Sequence, residues 1–206
     1  MQSEQQSYTA FEGHRRIATG GLTEVALETK QVLDRGGDGP ILIFDDANCR
    51  MVELDLRGTV DDLRQRLERT QGGDQVAAAT EAPRGPGRPK LGVVAREVTL
   101  LPRHWDWLNE QPGGASVAMR KLVEEARRTN EAKDRVRRAQ EVTYRFMSAL
   151  AGDLPHFEEA TRALFAGDHP RFEEQISEWP EDVRNHTRQL ASEAFGAAAA
   201  EASAQK

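Results

Sequence analysis

Residues Gly92 to Arg128 read GVVAREVTLLPRHWDWLNEQPGGASVAMRKLVEEARR, and their order constrains what the chain can fold into. Val93 to Leu101 is rich in β-branched and apolar residues and reads as a strand. Pro102 opens a helix to Gln111, in the first turn, where a missing N–H is harmless; Gly113-Gly114 breaks it, and Ala115 to Arg128 reads as a second helix. A short strand without a neighbour leaves its backbone N–H and C=O groups unsatisfied. This segment therefore needs a partner strand, from its own chain or from a second one.

The charge around it is uneven. The 206 residues carry a net charge of -6, yet Arg84 to Arg145 holds 14 Lys or Arg against 8 Asp or Glu, leaving 14 basic and 26 acidic residues elsewhere. A cationic band between acidic ends suits an anionic partner, because Lys and Arg neutralise phosphates and release counterions. It also fits a solvated helix laced with ion pairs, since Glu124, Glu125, Glu131 and Asp134 interleave with the basic groups. Cys49 is the only cysteine, which excludes an intramolecular disulfide framework and a cysteine-rich zinc site. The longest apolar runs, Pro40 to Phe44 and Ala197 to Ala200, are far shorter than a membrane span, and Met1 to Ser7 lacks the apolar core of a signal peptide. The expectation is a cytoplasmic protein with no membrane partner.

Tyr8 to Thr70 reads as two hairpin-plus-helix units. Tyr8 to Phe11 and Arg15 to Thr19 flank the turn Glu12-Gly13-His14, and a helix follows from about Leu22 to Leu33, with Leu22, Val25, Val32 and Leu33 as its stripe. Pro40 to Phe44 reads as a buried strand, Asp45-Asp46-Ala47-Asn48 as a turn, and Met51, Leu54 and Leu56 as the return strand. Thr59 caps a helix carrying Val60, Leu63 and Leu67, with Asp61 and Asp62 in its first turn. Gly20-Gly21 reads as a turn rather than as an anion site. Asp45, Asp46, Glu53 and Asp55 lack the spacing of a calcium loop and read as a solvated hairpin.

Gln71 to Pro89, rich in Gly, Ala, Thr and Pro, reads as a linker. Its end, Arg84-Gly85-Pro86-Gly87-Arg88-Pro89-Lys90, resembles an AT-hook over Gly87-Arg88-Pro89-Lys90. That resemblance implies arginine entering the minor groove of A·T-rich DNA. The hook places two arginines around one glycine, whereas here Gly85-Pro86-Gly87 separates Arg84 from Arg88, and a basic linker that tracks phosphate is the other reading.

Val98, Leu100, Leu101-Pro102, Trp105, Leu108, Gly113-Gly114 and Ser116 to Val123 together resemble the ribbon-helix-helix fold of the MetJ and Arc repressors. The resemblance implies a homodimer whose paired strands enter the major groove while the start of the second helix grips phosphate. Carried over by position, it implies DNA contacts from Arg96, Thr99, Ser116, Arg120 and Lys121, joined by Arg84, Arg88 and Lys90 of the linker. The dimer core would be Val98, Leu100, Trp105, Leu108, Met119, Leu122 and Val123. Two registers remain open. With Val98 and Leu100 inward, Glu97 and Thr99 face the groove; with Thr99 and Leu101 inward, Arg96 and Val98 do, and Glu97 is buried. Trp105 and Trp107 cannot share one helix face, so one of them suits an interface.

The C-terminal third reads as helical. Val136, Ala139, Thr143, Phe146 and Leu150 form a stripe that continues the basic helix. Ala151 to Glu159 recurs as Ala166 to Glu174, each copy with Gly to end a helix, Asp to cap the next and Pro and Glu in its first turn. A final helix is expected from about Pro180 to Phe195, with a frayed end from Gly196. His156 with Glu159 and His169 with Glu173 have ligand spacing, but no second carboxylate–histidine helix accompanies them and no metal is expected. There is no nucleophile elbow, P-loop or dinucleotide fingerprint, so neither an enzyme nor a cofactor is expected. Gly87 to Trp105, taken in sequence with its surroundings, resembles a bacterial family of uncharacterised proteins, domain of unknown function 2239. The likeness spans nearly the full chain and implies no activity.

The expected fold class is α+β: a ββαββα domain over 1–70, a flexible basic linker over 71–91, a ribbon-helix-helix-like segment over 92–129 and C-terminal helices over 130–206. The expected function is a dimeric DNA-binding regulator, and the alternative is an assembly module that dimerises without nucleic acid.

Overall fold

The computed structural model describes residues 6–37, 39–77, 94 and 96–204. The fold is mixed α and β, mostly helical, with a three-stranded antiparallel sheet near the N-terminus. β1 (Tyr8–Glu12) lies between β2 (Arg15–Gly20) and β3 (Ile41–Asp45), and α1 (Leu22–Asp34) connects β2 to β3. β1 pairs Tyr8 with Gly20 and Glu12 with Arg15 on one side, and Tyr8 with Asp45 and Glu12 with Ile41 on the other. A bulge lies between Ala10 and Phe11 on the β2 side.

Alternation along the central strands assigns the two faces. Tyr8, Ala10, Ile41 and Ile43 pack with Val25 of α1 on one side. Phe11, Leu42 and Phe44 point into a larger core on the other. Period-two geometry requires this split in any strand covered on both faces.

The sequence reading has a fourth strand at Met51 to Leu56; the structure replaces it with a single bridge. Phe44 pairs with Met51, the Val52 N–H donates to the Ile43 carbonyl at 2.8 Å, and 52–57 then leave the sheet. The side-chain alternation nevertheless persists. Val52 and Leu54 cover the Val25 core, and Leu54 and Leu56 continue onto a third cluster formed by Ala26, Leu63 and Leu67. Packing on α1 and α2 draws this segment off the ladder while keeping its apolar face inward.

α2 (Val60–Ala77) begins at Thr59, whose backbone N–H and hydroxyl both donate to the Asp62 carboxylate while Thr59 Oγ1 accepts the Asp62 N–H at 3.2 Å. This reciprocal cap holds the Asp62 carboxyl below its usual pKa, through the backbone and then the hydroxyl hydrogen bond. The helix runs through Gln71–Ala77, residues read from sequence as linker. Gly72 and Gly73 weaken a helix without ending it, and the first proline is not reached until Pro83.

α3 (Pro102–Glu110) starts with proline at its first turn, and α4 (Gly114–Leu150) is one helix of 37 residues that joins the basic segment to the C-terminal stripe. Gly113 and Gly114 both have positive φ, and a Cβ on Gly113 would meet Val117 at 3.1 Å, so this tight turn needs glycine. α5 (Phe157–Ala166), α6 (His169–Gln175) and α7 (Glu181–Ala204) complete the fold; α7 continues past the expected end at Phe195.

The second copy of the internal repeat behaves as read: Gly167 ends α5 at φ 72°, and the Asp168 carboxylate accepts the Arg171 N–H. The first copy differs. Leu154, where the second copy has His169, packs on the core and draws the chain into a turn, so α5 starts after a left-handed His156 instead of at an Asp153 cap.

Two compact units result, Met1–Asp74 with Asp134–Lys206, and Gln75–Lys133. In the first, Phe11 and Phe44 of the sheet share one core with Phe146, Met147, Leu164, Phe172, Trp179 and Val183. Segments 1–70 and 130–206, separated in the sequence reading, thus have a common interior. The ring of Phe146 lies 5.3 Å from those of both Phe11 and Phe44, and the Arg145 guanidinium donates to the Asn48 carbonyl.

Candidate nucleic-acid interface

The second unit holds the segment that opened the sequence reading. Residues 94 and 96–101 belong to no strand, so the ribbon of the ribbon-helix-helix fold is not present among the described residues of this single chain. The physical reason is the absence of a bonded neighbour: among the described residues the sheet contains β1, β2 and β3 alone, and an unpaired extended segment has no ladder to join. Arg96, Glu97, Val98 and Thr99 are all exposed, so neither register of inward and outward residues is expressed.

The helical half of the motif is present as α3, the Gly113-Gly114 turn and the start of α4. Ser116 and Arg120 are exposed one turn apart, and the Arg120 Nε donates to the Ser116 carbonyl at 3.1 Å; Lys121 beside them is exposed too. These three groups therefore gather at the first turns of α4, where unpaired helical N–H groups and basic side chains favour an anion. Arg96 and Thr99 lie on the non-helical stretch before α3. Arg84, Arg88 and Lys90 fall outside the described residues.

Apolar exposure distinguishes this unit. Of the residues expected to form a dimer core, Leu108 is buried and Leu100, Trp105 and Met119 are half-buried, whereas Val98 (50% exposed), Leu122 (45%) and Val123 (55%) face outward. Val94, Leu101 and Trp107 are exposed as well. Across 94–133, Leu108 and Ala118 are the only buried side chains among the described residues. Two buried side chains are far fewer than an independent core contains. The sequence placed one of the two tryptophans at an interface; Trp107 is the more exposed, Trp105 the less.

Several of the other candidate residues are engaged internally. Asp45 closes its own turn, its carboxylate accepting from the Ala47 N–H at 2.9 Å and from the Asn48 and Gln6 side-chain amides at 3.0 Å. Asp55 pairs with Arg57 at 2.9 Å and with Arg66 at 3.4 Å. The Arg57 hydrogen bonds hold its carboxyl down at about 2. Glu159 pairs with Arg162 and Arg171, Glu173 with Arg188 at 2.6 Å, and the His169 ring stacks on Phe195 at 4.8 Å.

One chemically notable group, His186, escaped the sequence reading, and Cys49 was read only as excluding a disulfide framework and a cysteine-rich zinc site. His186 is buried against Phe11 and Phe146, with neither ring nitrogen hydrogen-bonded; desolvation depresses its pKa, opposed by Asp46 and reinforced by Arg16. Cys49, at positive φ in the turn after β3, is pushed up to about 12 by burial and then by Asp46, which keeps its thiol protonated and unreactive. The burial of each comes from the fold, and no local spacing announces it.

Among the described residues no helix is long and apolar enough to cross a membrane. Residues 7–191 match the family described as "Uncharacterized protein conserved in bacteria (DUF2239)", and the chain belongs to that family. No curated protein and no solved structure matches it.

Proposed function

We propose that this family member is a homodimeric DNA-binding protein acting as a transcriptional regulator, with residues 92–129 completing a ribbon-helix-helix-like unit only when two copies meet. The observation that carries the reading is the incomplete core of the second unit: it leaves Val98, Leu101, Trp107, Leu122 and Val123 exposed beside the basic groups of α4. A second copy supplies what is missing. Its segment offers an antiparallel partner for 96–101, and covering these side chains stabilises the pair by about 25 cal/mol for each Å2 of apolar surface removed from water. Dimerisation also brings two sets of Arg96, Thr99, Ser116, Arg120 and Lys121 to one duplex, with Arg84, Arg88 and Lys90 of the preceding segment adding phosphate or minor-groove contacts.

The second reading, an assembly module that dimerises without nucleic acid, is favoured by one observation. Arg127 is paired with Glu124 at 3.3 Å, so part of the positive charge is already neutralised within the helix. Light scattering with duplex DNA separates the two. The DNA-binding reading expects a dimer; Leu122→Asp gives a monomer that no longer binds, and Arg120→Ala with Lys121→Ala gives a dimer that binds weakly. A wild-type monomer at micromolar concentration overturns both readings, and a dimer indifferent to DNA leaves the assembly module.

A further inference from the structure

α3 is poorly supported by its own chemistry. It has nine residues, fewer than the roughly 12 to 15 at which isolated helices begin to persist in water, and its N-cap residue, Leu101, offers no side-chain acceptor to the free N–H groups of the first turn. Its charges oppose the helix dipole: the first turn holds Arg103 and no acidic residue, and the last residue is Glu110. Packing must therefore hold it. Leu108 is its only buried side chain, while Trp105 is half-buried and Trp107 faces outward.

The start of α4 adds little cover. Ala118 is buried, but from Arg120 to Glu131, about three helical turns, every side chain is exposed. Met119, Leu122, Val123 and Ala126 nonetheless recur at offsets of three, four and seven residues and form an apolar stripe on one face. The two helices differ in one respect. α4 continues into the core of the first unit, where Phe146, Met147 and Leu150 are buried, and a helix anchored at one end extends at little cost. α3 has no such anchor, because a non-helical stretch precedes it and the Gly113-Gly114 turn follows it.

We propose that α3 folds onto α4 only when two copies of the chain meet, so that dimerisation and the ordering of 102–113 are a single step. The inference rests on the homodimer of the proposed function and adds its regulation. In a two-fold pair the same residues are buried on each side, so Leu101, Trp107, Leu122 and Val123 of one copy cover those of the other and supply the packing that α3 lacks. The Gly113-Gly114 turn sets where α4 begins, so the free N–H groups there, with Ser116, Arg120 and Lys121, are in place only in the dimer. A single copy then has no assembled anion site, and occupancy of DNA rises more steeply than in proportion to the concentration of the chain.

The test is amide hydrogen exchange by mass spectrometry on the full chain, over a dilution series whose dimer content is followed by light scattering, with Leu122→Asp as a monomeric reference. Amides of 106–111 exchange about tenfold or more faster in the monomer than in the dimer, in step with dissociation, while those of β1 exchange alike in both. The β1 amides also show whether Leu122→Asp keeps its fold; if it does not, dilution of the wild type carries the test alone. Equal protection of 106–111 in monomer and dimer overturns the proposal and leaves the DNA-binding reading standing. A dimer whose α3 protection follows association but which has no affinity for DNA upholds the proposal and overturns that reading. A chain that is monomeric at every concentration overturns both.

Discussion

Replacing Phe146 by alanine tests whether the N-terminal sheet and the C-terminal helices stand or fall together. The side chain is fully buried, and its ring lies 5.3 Å from Phe11 and from Phe44 and 4.6 Å from His186, so one truncation removes contacts to two strands and to α7. Phe-to-Ala changes in cores cost about 3–5 kcal/mol. Tilted and edge-on ring pairs add about 0.5–1.5 kcal/mol beyond area burial, which places this site toward the upper end, near 4–5 kcal/mol. Against a typical domain stability of about 5–15 kcal/mol, that is a quarter or more of the total. Urea unfolding is followed by Trp179 fluorescence in a background where Trp105 and Trp107 are phenylalanine, and by hydrogen exchange of the β1 amides. Both probes should lose the same free energy. Full protection of β1 in Phe146→Ala, with Trp179 alone destabilised, would refute the shared core.

Three further outcomes follow from the same geometry. Burial depresses the His186 pKa, so the unfolded chain binds the extra proton; stability is complete above about 6.5, the ordinary histidine value, and falls as pH drops below it. His186→Phe should flatten the denaturation midpoint between about pH 7 and 5.5 relative to wild type, and parallel slopes would contradict the assignment. Cys49 should resist a thiol-reactive dye at pH 8 until the chain is unfolded, since burial holds its pKa near about 12; stoichiometric labelling of the folded protein would count against this. Gly113→Ala forces a left-handed residue against Val117 and should destabilise the α3–α4 turn by about 1–2 kcal/mol, lowering dimer affinity in light scattering with no change in Trp179 unfolding; unaltered dimerisation would argue against a role for the turn.

Local chemistry was the legible part of this fold. Thr59 with Asp62, Pro102, Gly113-Gly114 and Asp168 each act through neighbours within four residues, and the structure uses them as starts, stops and caps. The return segment was legible in part: Leu54 and Leu56 pack inward as read, whereas Met51 is exposed and Val52 takes the inward position. Whether that segment pairs in a sheet or lies over α1 and α2 depends on partners distant in sequence. The same limit hides the setting of His186, whose ring contacts with Phe11 and Phe146 join positions far apart in sequence. Leu154 illustrates the converse, where one apolar residue in an otherwise matching repeat overrides a cap signal because the core takes it.

The most direct test of the regulator proposal is the salt dependence of DNA affinity, by fluorescence anisotropy on A·T-rich and mixed-sequence duplexes. Two copies of Arg96, Arg120 and Lys121 neutralising six phosphates predict a loss of about a thousandfold in affinity between roughly 50 and 200 mM salt. Absence of binding at the lower concentration, or binding that does not change with salt, would contradict it.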